Sequence, residues 1–183
     1  QISAQFAHPQ WLLEHFQQDW VENWQQIAET NNQHPPMTLR VNCRQLSREE
    51  YLQQLVSANI AAIATPHTEN GITLEQPMDV SQLPGFAQGW VSVQDASAQW
   101  AAKLLDVPPQ ASVLDACAAP GGKTAHLLES YSIKRLTVLD NQAERMAAIE
   151  QGLQRLKLFD NQTVDLQCAD ASEPQQWWQG ELF

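Results

Sequence analysis

The stretch Val113-Leu-Asp-Ala-Cys-Ala-Ala-Pro-Gly-Gly-Lys-Thr124 decides the fold of this 183-residue chain. Its entry, Ala111 to Leu114, reads as a short buried strand, its small-residue middle as a tight turn, and its exit as a helix running to Glu129. The alternation continues downstream. Leu136 to Leu139 reads as a second strand, Met146, Ile149, Leu153 and Leu156 form one face of a second helix, and Val164 to Cys168 reads as a third strand. Strands alternating with helices imply a parallel sheet with right-handed crossovers, hence an α/β fold. Open sheets of this kind usually carry more than three strands, so the chain is expected to be truncated, with its first strand left with an unpaired edge.

Upstream, Pro9 suits a first helical turn. Leu13, Phe16, Trp20, Trp24 and Ile27 follow at steps of three and four, which predicts one continuous helix. Thr30 to Pro36 breaks it. Met37 to Val41 reads as a strand. Ser47 with Glu50 forms a capping box opening a helix through Tyr51, Leu52, Leu55 and Val56. Ile60 to Ala64 and Ile72 to Leu74 read as hairpin partners around a tight turn at Asn70-Gly71. Pro77, Pro84 and Gly85 mark a loop. Asp95 to Leu105 reads as a helix with Trp100, Leu104 and Leu105 facing inward. The expected organisation is a helix and linker over 1–35, a small α+β subdomain over 36–85, and the start of the parallel sheet over 86–183.

Composition bounds the function. Ten Lys+Arg against 21 Asp+Glu give a net charge of −11, which excludes a generally basic nucleic-acid surface but not a local basic groove. Cys43, Cys117 and Cys168 are far apart and form no CxxC pair, so neither a disulfide framework nor a structural zinc site is expected, and a reducing cytoplasm fits. No run approaches the ~18 apolar residues of a membrane span. Gln1 is not an initiator methionine and no signal peptide follows it, which reads as a fragment boundary.

Three chemistries compete for the loop. A P-loop has the right ending in Gly122-Lys123-Thr124, but the glycine needed five positions earlier is Cys117, and Pro120 removes an N–H from the phosphate cradle. A dinucleotide site needs GxGxxG, which is not present. S-adenosylmethionine (SAM) carries no phosphate. It needs a small-residue loop under its amino-acid part and an acid at the end of the second strand to accept from both ribose hydroxyls. Asp140 stands there, 18 residues after Gly122 (140 − 122), and Asp170 ends the third strand where it could reach the adenine amino group. Bland readings stand beside these. Asp115, Asp140 and Asp170 could each cap a turn or helix, Lys123 could simply solvate a helix start, and Cys117 reads as a small packing residue. The five histidines are isolated and are assigned no metal or catalytic role.

The stretch Gly89-Trp-Val-Ser-Val-Gln-Asp-Ala-Ser-Ala-Gln99, followed by Val113 to Thr124, resembles the bacterial RsmB (Fmu, Sun) family, SAM-dependent 5-methylcytosine methyltransferases of 16S ribosomal RNA. Pro9-Gln-Trp-Leu-Leu13, Pro35-Pro-Met-Thr-Leu-Arg-Val-Asn42 and Pro84-Gly-Phe86 agree with it. The resemblance implies a Rossmann-like methyltransferase sheet with SAM held by Cys117, Ala118, Ala119, Pro120, Gly121, Gly122 and Lys123, with Asp140 at the ribose and Asp170 near the adenine. It also implies that the small subdomain touches RNA. Arg40, Arg44 and Arg48 are its one basic cluster and hence the candidate phosphate contacts. The family's Asp-Ala-Pro-Cys motif and later Thr-Cys motif do not occur before Phe183. The nucleophilic cysteine is therefore expected beyond Phe183, no catalytic residue is assigned, and the stretch alone is expected to be inactive. Where the family usually has a second acidic or polar position after the ribose acid, Asp140 is followed by Asn141-Gln142. A monomer is expected for the complete protein, with no membrane and no metal. The rival readings are a non-catalytic module holding SAM or RNA, and a methyltransferase for a protein or small molecule.

Overall fold

The computed structural model describes residues 2–159 and 163–183. The chain forms two compact units, Gln1–Pro35 and Pro36–Phe183.

In the first unit the apolar stripe is not one helix. It is split between α2 (Gln10–Asp19) and α3 (Trp24–Asn31), preceded by α1 (Ile2–Phe6). The backbone leaves helical geometry at Trp20 (φ −131°, ψ 62°), so the stripe folds back on itself. Phe6, Leu13 and Ala28 become its core, with Phe16 and Trp24 against them. A straight helix would have left that stripe in water, and burial outweighs the hydrogen bonds lost at the bend.

The second unit holds two sheets. The first comprises β1 (Thr38–Val41), β2 (Ala62–Ala64), β3 (Gly71–Leu74) and β4 (Val91–Val93) in the order β2-β3-β1-β4, every pairing antiparallel. Its helix α4 (Arg48–Ser57) opens with the expected capping box of Ser47 and Glu50. Ala64 and Ile72 pair across a loop that runs from Thr65 to Asn70, longer than the tight turn expected at Asn70-Gly71. The sheet also recruits β4, which lies beyond residue 85 and was not foreseen as a strand.

The second sheet is parallel, in the order β5-β6-β7, from β5 (Ser112–Ala116), β6 (Arg135–Asp140) and β7 (Val164–Cys168). Helix α6 (Gly122–Ser130) connects the first two and α7 (Ala143–Arg155) the last two. Met146, Ile149, Leu153 and Leu156 pack inward as expected. The α/β class and the parallel alternation are thus as the sequence implied. β5 lies at an edge, with β6 its only strand partner among the described residues.

Helix α5 (Ala96–Leu105) turns a different face inward from the one expected. Gln99 and Ala102 are buried, while Trp100, Leu104 and Leu105 are exposed. Its neighbours are α6 and β1, and the contact is polar as well as tight. Gln99 Nε2 donates to the Leu39 carbonyl (3.3 Å) and the Gln94 carbonyl (3.1 Å), and Tyr131 Oη donates to the Ala102 carbonyl (3.0 Å). Those bonds choose the small, polar side of the helix over its leucines.

The two sheets are joined through β1. Leu39 and Val41 point into the small-sheet core with Tyr51, Leu55 and Ile72. Thr38, Arg40 and Asn42 point the other way, and they too are buried. Arg40, fully buried, donates from Nε to Glu129 Oε2 (2.7 Å) and from Nη2 to Glu129 Oε1 (2.8 Å). Its Nη1 reaches Gln94 Oε1 (2.5 Å) and the Gly122 carbonyl (2.9 Å). Asn42 Nδ2 donates to the carbonyls of Gly89 and Leu156, each at 3.0 Å. Gly89 has a φ of +81°, and a β-carbon there would lie 2.2 Å from the Arg155 carbonyl oxygen, so only glycine fits. Burial pushes the Glu129 carboxyl above its ordinary value, and the hydrogen bond and charge of Arg40 pull it back.

Removing one member of this pair leaves a buried charge alone, whereas replacing both leaves none. Arg40→Met should therefore lower stability by about 3–5 kcal/mol in urea unfolding. The double change Arg40→Met with Glu129→Leu should recover more than half of that loss.

Candidate functional site

The carboxyl ends of β5, β6 and β7 open onto one cleft of about 330 Å3, walled by Cys117, Asp140, Gln142, Arg145, Ala169 and Asp170. Crevices at this edge are where open α/β sheets take their ligands.

The loop after β5 is folded tightly. Cys117 has a φ of +62°, and the Ala119–Pro120 peptide is cis. Ala118 N donates to the Leu139 carbonyl (2.9 Å), and Gly121 N donates to the Ala118 carbonyl (2.8 Å). Gly121 sits at the N-cap of α6 with a φ of +92°, and a β-carbon there would stand 3.2 Å from Ile149 Cγ2. The positive φ demands glycine, and the close approach of Ile149 leaves little room for any side chain. Thr124 Oγ1 donates to Asp115 Oδ2 (2.7 Å), closing the loop from its strand side to its helix side. Burial raises the Asp115 carboxyl above its ordinary value, against that hydrogen bond and the charge of Lys123.

Asp140, 4% exposed, is the hinge of the site. Its Oδ2 accepts from Ala119 N (3.2 Å) and its Oδ1 from Gln142 N (3.2 Å). It therefore ties the loop after β5 to the turn opening α7. Each carboxylate oxygen keeps a second lone pair for a ligand hydroxyl. Arg145 Nη1 stands 3.7 Å from Asp140 Oδ1 at the mouth of the cleft. Asp170 accepts from Ser172 N (2.9 Å) and Ser172 Oγ (2.7 Å), which hold its carboxyl below the usual range.

Of the residues singled out from sequence, Cys117, Asp140 and Asp170 meet in the cleft. Ala119 joins them through its N–H to Asp140. Ala118 is buried in the core beneath the loop, Gly121 is buried, Gly122 is partly so, and Pro120 and Lys123 are exposed. Cys117 is exposed on the cleft rather than packed, because its positive φ turns the chain out of the strand there. Gln142 and Arg145 were missed. Their only signal was position, in the first turn after the acid that ends β6.

The three arginines are not a basic patch. Arg40 is fully buried on Glu129 and is out of reach of any phosphate. Arg44 donates to the carbonyls of Glu129 (2.9 Å), Leu128 (3.2 Å) and Tyr131 (3.0 Å), closing the C-terminal end of α6. Arg48 donates to the Thr68 carbonyl (2.9 Å) and pairs with Glu49 (3.3 Å). Carbonyls at the end of a buried helix need donors, and Arg44, just past β1, supplies them.

A second cavity, of about 160 Å3, opens between the β2–β3 loop, α5 and α6. His126, on α6, lines it and is 8% exposed. Burial, reinforced by the nearby Arg40 charge and opposed by Glu69, lowers its pKa to about 4. The ring is thus neutral at pH 7. Below pH 6.5 the unfolded chain takes up a proton that the folded chain refuses until about pH 4, so this histidine weakens folding as pH falls through that window. Between pH 7 and pH 4.5 the native chain should lose about 2 kcal/mol more stability than a His126→Gln variant, measured by urea unfolding at both pH values.

Two family models match this chain. One, described as the ferredoxin-like domain of RsmF/B-like methyltransferases, covers residues 8–81, and the other, 16S rRNA methyltransferase RsmB/F, covers residues 102–183. The ribosomal RNA small subunit methyltransferase B of Vibrio cholerae is 48% identical over 185 residues, covering 99% of this chain and 41% of the relative. The protein of the same name from Pseudomonas syringae pv. tomato is 47% identical over 178 residues, covering 97% and 39%. The chain thus spans about two-fifths of the length of these curated relatives. A solved structure of a protein called PH0851 superposes on 95% of this chain and 39% of its own, with a TM-score of 0.86 at 23% identity, which shows the shared fold.

Proposed function

This chain belongs to the RsmB/F family of 16S rRNA methyltransferases, and from that premise we propose that its parallel sheet is the SAM-binding part of an enzyme methylating C5 of a cytosine in 16S ribosomal RNA, in the cytoplasm. The observation that supports the cofactor reading is the cleft at the strand ends. A glycine-demanding loop, a buried acid at the end of the middle strand and an exposed acid at the end of the third face one space.

The residues fit the molecule. SAM, when bound, supplies a methyl group on a sulfonium centre. The loop from Cys117 to Lys123 turns tightly at the positive φ values of Cys117 and Gly121, which sets its backbone beside the cleft where an amino-acid moiety would lie. Asp140 offers its unused lone pairs to the two ribose hydroxyls, and it is held in place by the N–H groups of Ala119 and Gln142. Asp170 can accept from the adenine amino group, because Ser172 occupies only one of its oxygens. Asp115 acts through Thr124 and sets the loop rather than touching the ligand. Methylation at C5 needs a thiolate adding at C6 of the base, and we assign that role to none of Cys43, Cys117 or Cys168. The share of the reaction proposed for these 183 residues is to bind and orient the methyl donor.

Asp140→Ala should weaken SAM binding by about 1.5–3 kcal/mol in calorimetry, the scale of hydrogen bonds lost from a charged acceptor. Gly122→Ala is a control for the fold, because a β-carbon there meets only Gln94 Nε2, at 3.5 Å. It should leave the circular dichroism of the chain unchanged. Unchanged SAM affinity in the Asp140 variant would remove that residue from the site.

A further inference from the structure

The cavity between the β2–β3 loop, α5 and α6 has no part in the cofactor cleft. It lies along α6 toward Ser130 and Tyr131, the end of the helix away from the loop at Gly121. Four of its features point to one kind of ligand.

The first is an orphaned atom. His126 Nδ1 is buried and has no hydrogen-bond partner. Buried ring nitrogens are normally paired, so an unpaired Nδ1 on a histidine that lines a cavity leaves that ring without a partner. The second is charge. Lys103 Nζ donates to Glu69 Oε1 (3.0 Å), so the rim cancels itself, and His126 is neutral. A phosphate or carboxylate would meet no net positive charge. The third is a flat wall. Trp100 is 37% exposed on α5 and lines the cavity, with Lys103 Nζ 5.5 Å from its ring centroid. An exposed indole offers an aromatic face on which a heteroaromatic ring can stack, with the cation completing the rim. The fourth is size. About 160 Å3 is below the roughly 300–1,000 Å3 of pockets that hold drug-sized molecules, so the space suits a single ring system. Polar groups to read the ring's edge are present in Asn70, Thr68 and Gln99. Gln99 has committed its Nε2 to the Leu39 and Gln94 carbonyls, which leaves its Oε1 as the acceptor.

We propose that this cavity is a receptor for one nucleobase, stacked on Trp100 and hydrogen-bonded by His126, presented either by an unpaired stretch of RNA or as a free nucleoside. The RNA arm rests on the rRNA reading above. A base held here would anchor the strand at a distance from the cofactor cleft, and stacking is tolerant of sequence while edge contacts are not.

The test uses the chain labelled with 15N at histidine. Cytidine, uridine, adenosine and guanosine are each titrated while the His126 ring nitrogens, assigned with the His126→Gln variant, are followed by NMR. At least one nucleoside should shift the Nδ1 resonance saturably, and Trp100→Ala, at a half-exposed position that does not carry the core, should weaken that binding about tenfold or more. A single-stranded RNA oligonucleotide that shifts the same resonance at lower concentration identifies RNA as the source of the base. Shifts by nucleosides alone identify a free-nucleoside site. No saturable shift, binding unchanged by Trp100→Ala, or the same shift with inorganic phosphate overturns the proposal. SAM calorimetry on the same sample separates the two readings. SAM binding without nucleoside binding sinks only this cavity, and nucleoside binding without SAM binding sinks only the cofactor reading.

Discussion

The fold turns on a strand that is buried on both faces. A four-residue antiparallel strand ordinarily buries one face and wets the other. Here the face of β1 that carries Thr38, Arg40 and Asn42 is covered by the second sheet's helices, so its polar groups must all find partners inside the protein. Arg40 does so through both oxygens of Glu129, the side chain of Gln94 and the carbonyl of Gly122. The guanidinium has five donors in a fixed fork, and no other side chain could satisfy a carboxylate and two separate carbonyls at once. Asn42 performs the same task two residues on, between Gly89 and Leu156. The small sheet is therefore not an appendage beside the parallel sheet. Its central strand completes the hydrogen bonding of α6 and of the C-terminal end of α7.

That constraint reaches the cofactor cleft. Gly122 is the first residue of α6 and immediately follows the glycine whose positive φ the loop demands. Its carbonyl is fixed by Arg40, its neighbour Thr124 is fixed by Asp115, and Ala119 is fixed by Asp140. Three anchors from three different elements hold the loop between Ala116 and Lys123. Small residues would otherwise make it the least ordered part of the sheet. The proposed binding surface is set in advance, and that lowers the ordering cost of taking up a ligand.

Much of this was legible in the residues. The capping box at Ser47 and Glu50, the buried face of α7 and the extent of β7 follow from local rules, because each depends on neighbours in sequence. The meeting of Cys117, Asp140 and Asp170 was legible too, since a parallel sheet with short crossovers brings strand ends to one edge whatever the details. What failed was decided by tertiary partners. The helical period from Leu13 to Ile27 gave no sign of the bend at Trp20, which packs the stripe against itself. The leucines of α5 lost to Gln99 because the carbonyls of Leu39 and Gln94 needed a donor. The arginines looked like a patch because charge usually means solvent. A lone Glu129 at the end of an otherwise apolar Leu127-Leu128 run, set against the polar positions 38, 40 and 42 of a strand, was the one signal that they were a buried seam.

The same seam limits how this chain can engage RNA under the proposed function. Of its ten Lys and Arg, Arg40, Arg44 and Arg155 donate to groups across the junction between the sheets, Arg155 through the Phe86 (2.6 Å) and Val91 (3.1 Å) carbonyls. Arg48 and Lys103 are paired with Glu49 and Glu69, and Arg135 with Asp165 and Glu181. Lys123, Lys134 and Lys157 form no ion pair among the described residues, and Arg145 stands beside Asp140 at the cleft. A chain with a net charge of −11 and so few cations to spare neutralises few phosphates, so the counterion-release contribution that dominates most nucleic-acid binding is small here. Whatever hold these residues have on an RNA strand must come from shape, aromatic surface and hydrogen bonds to bases, which are the contacts that discriminate between sequences rather than those that merely attract a polyanion.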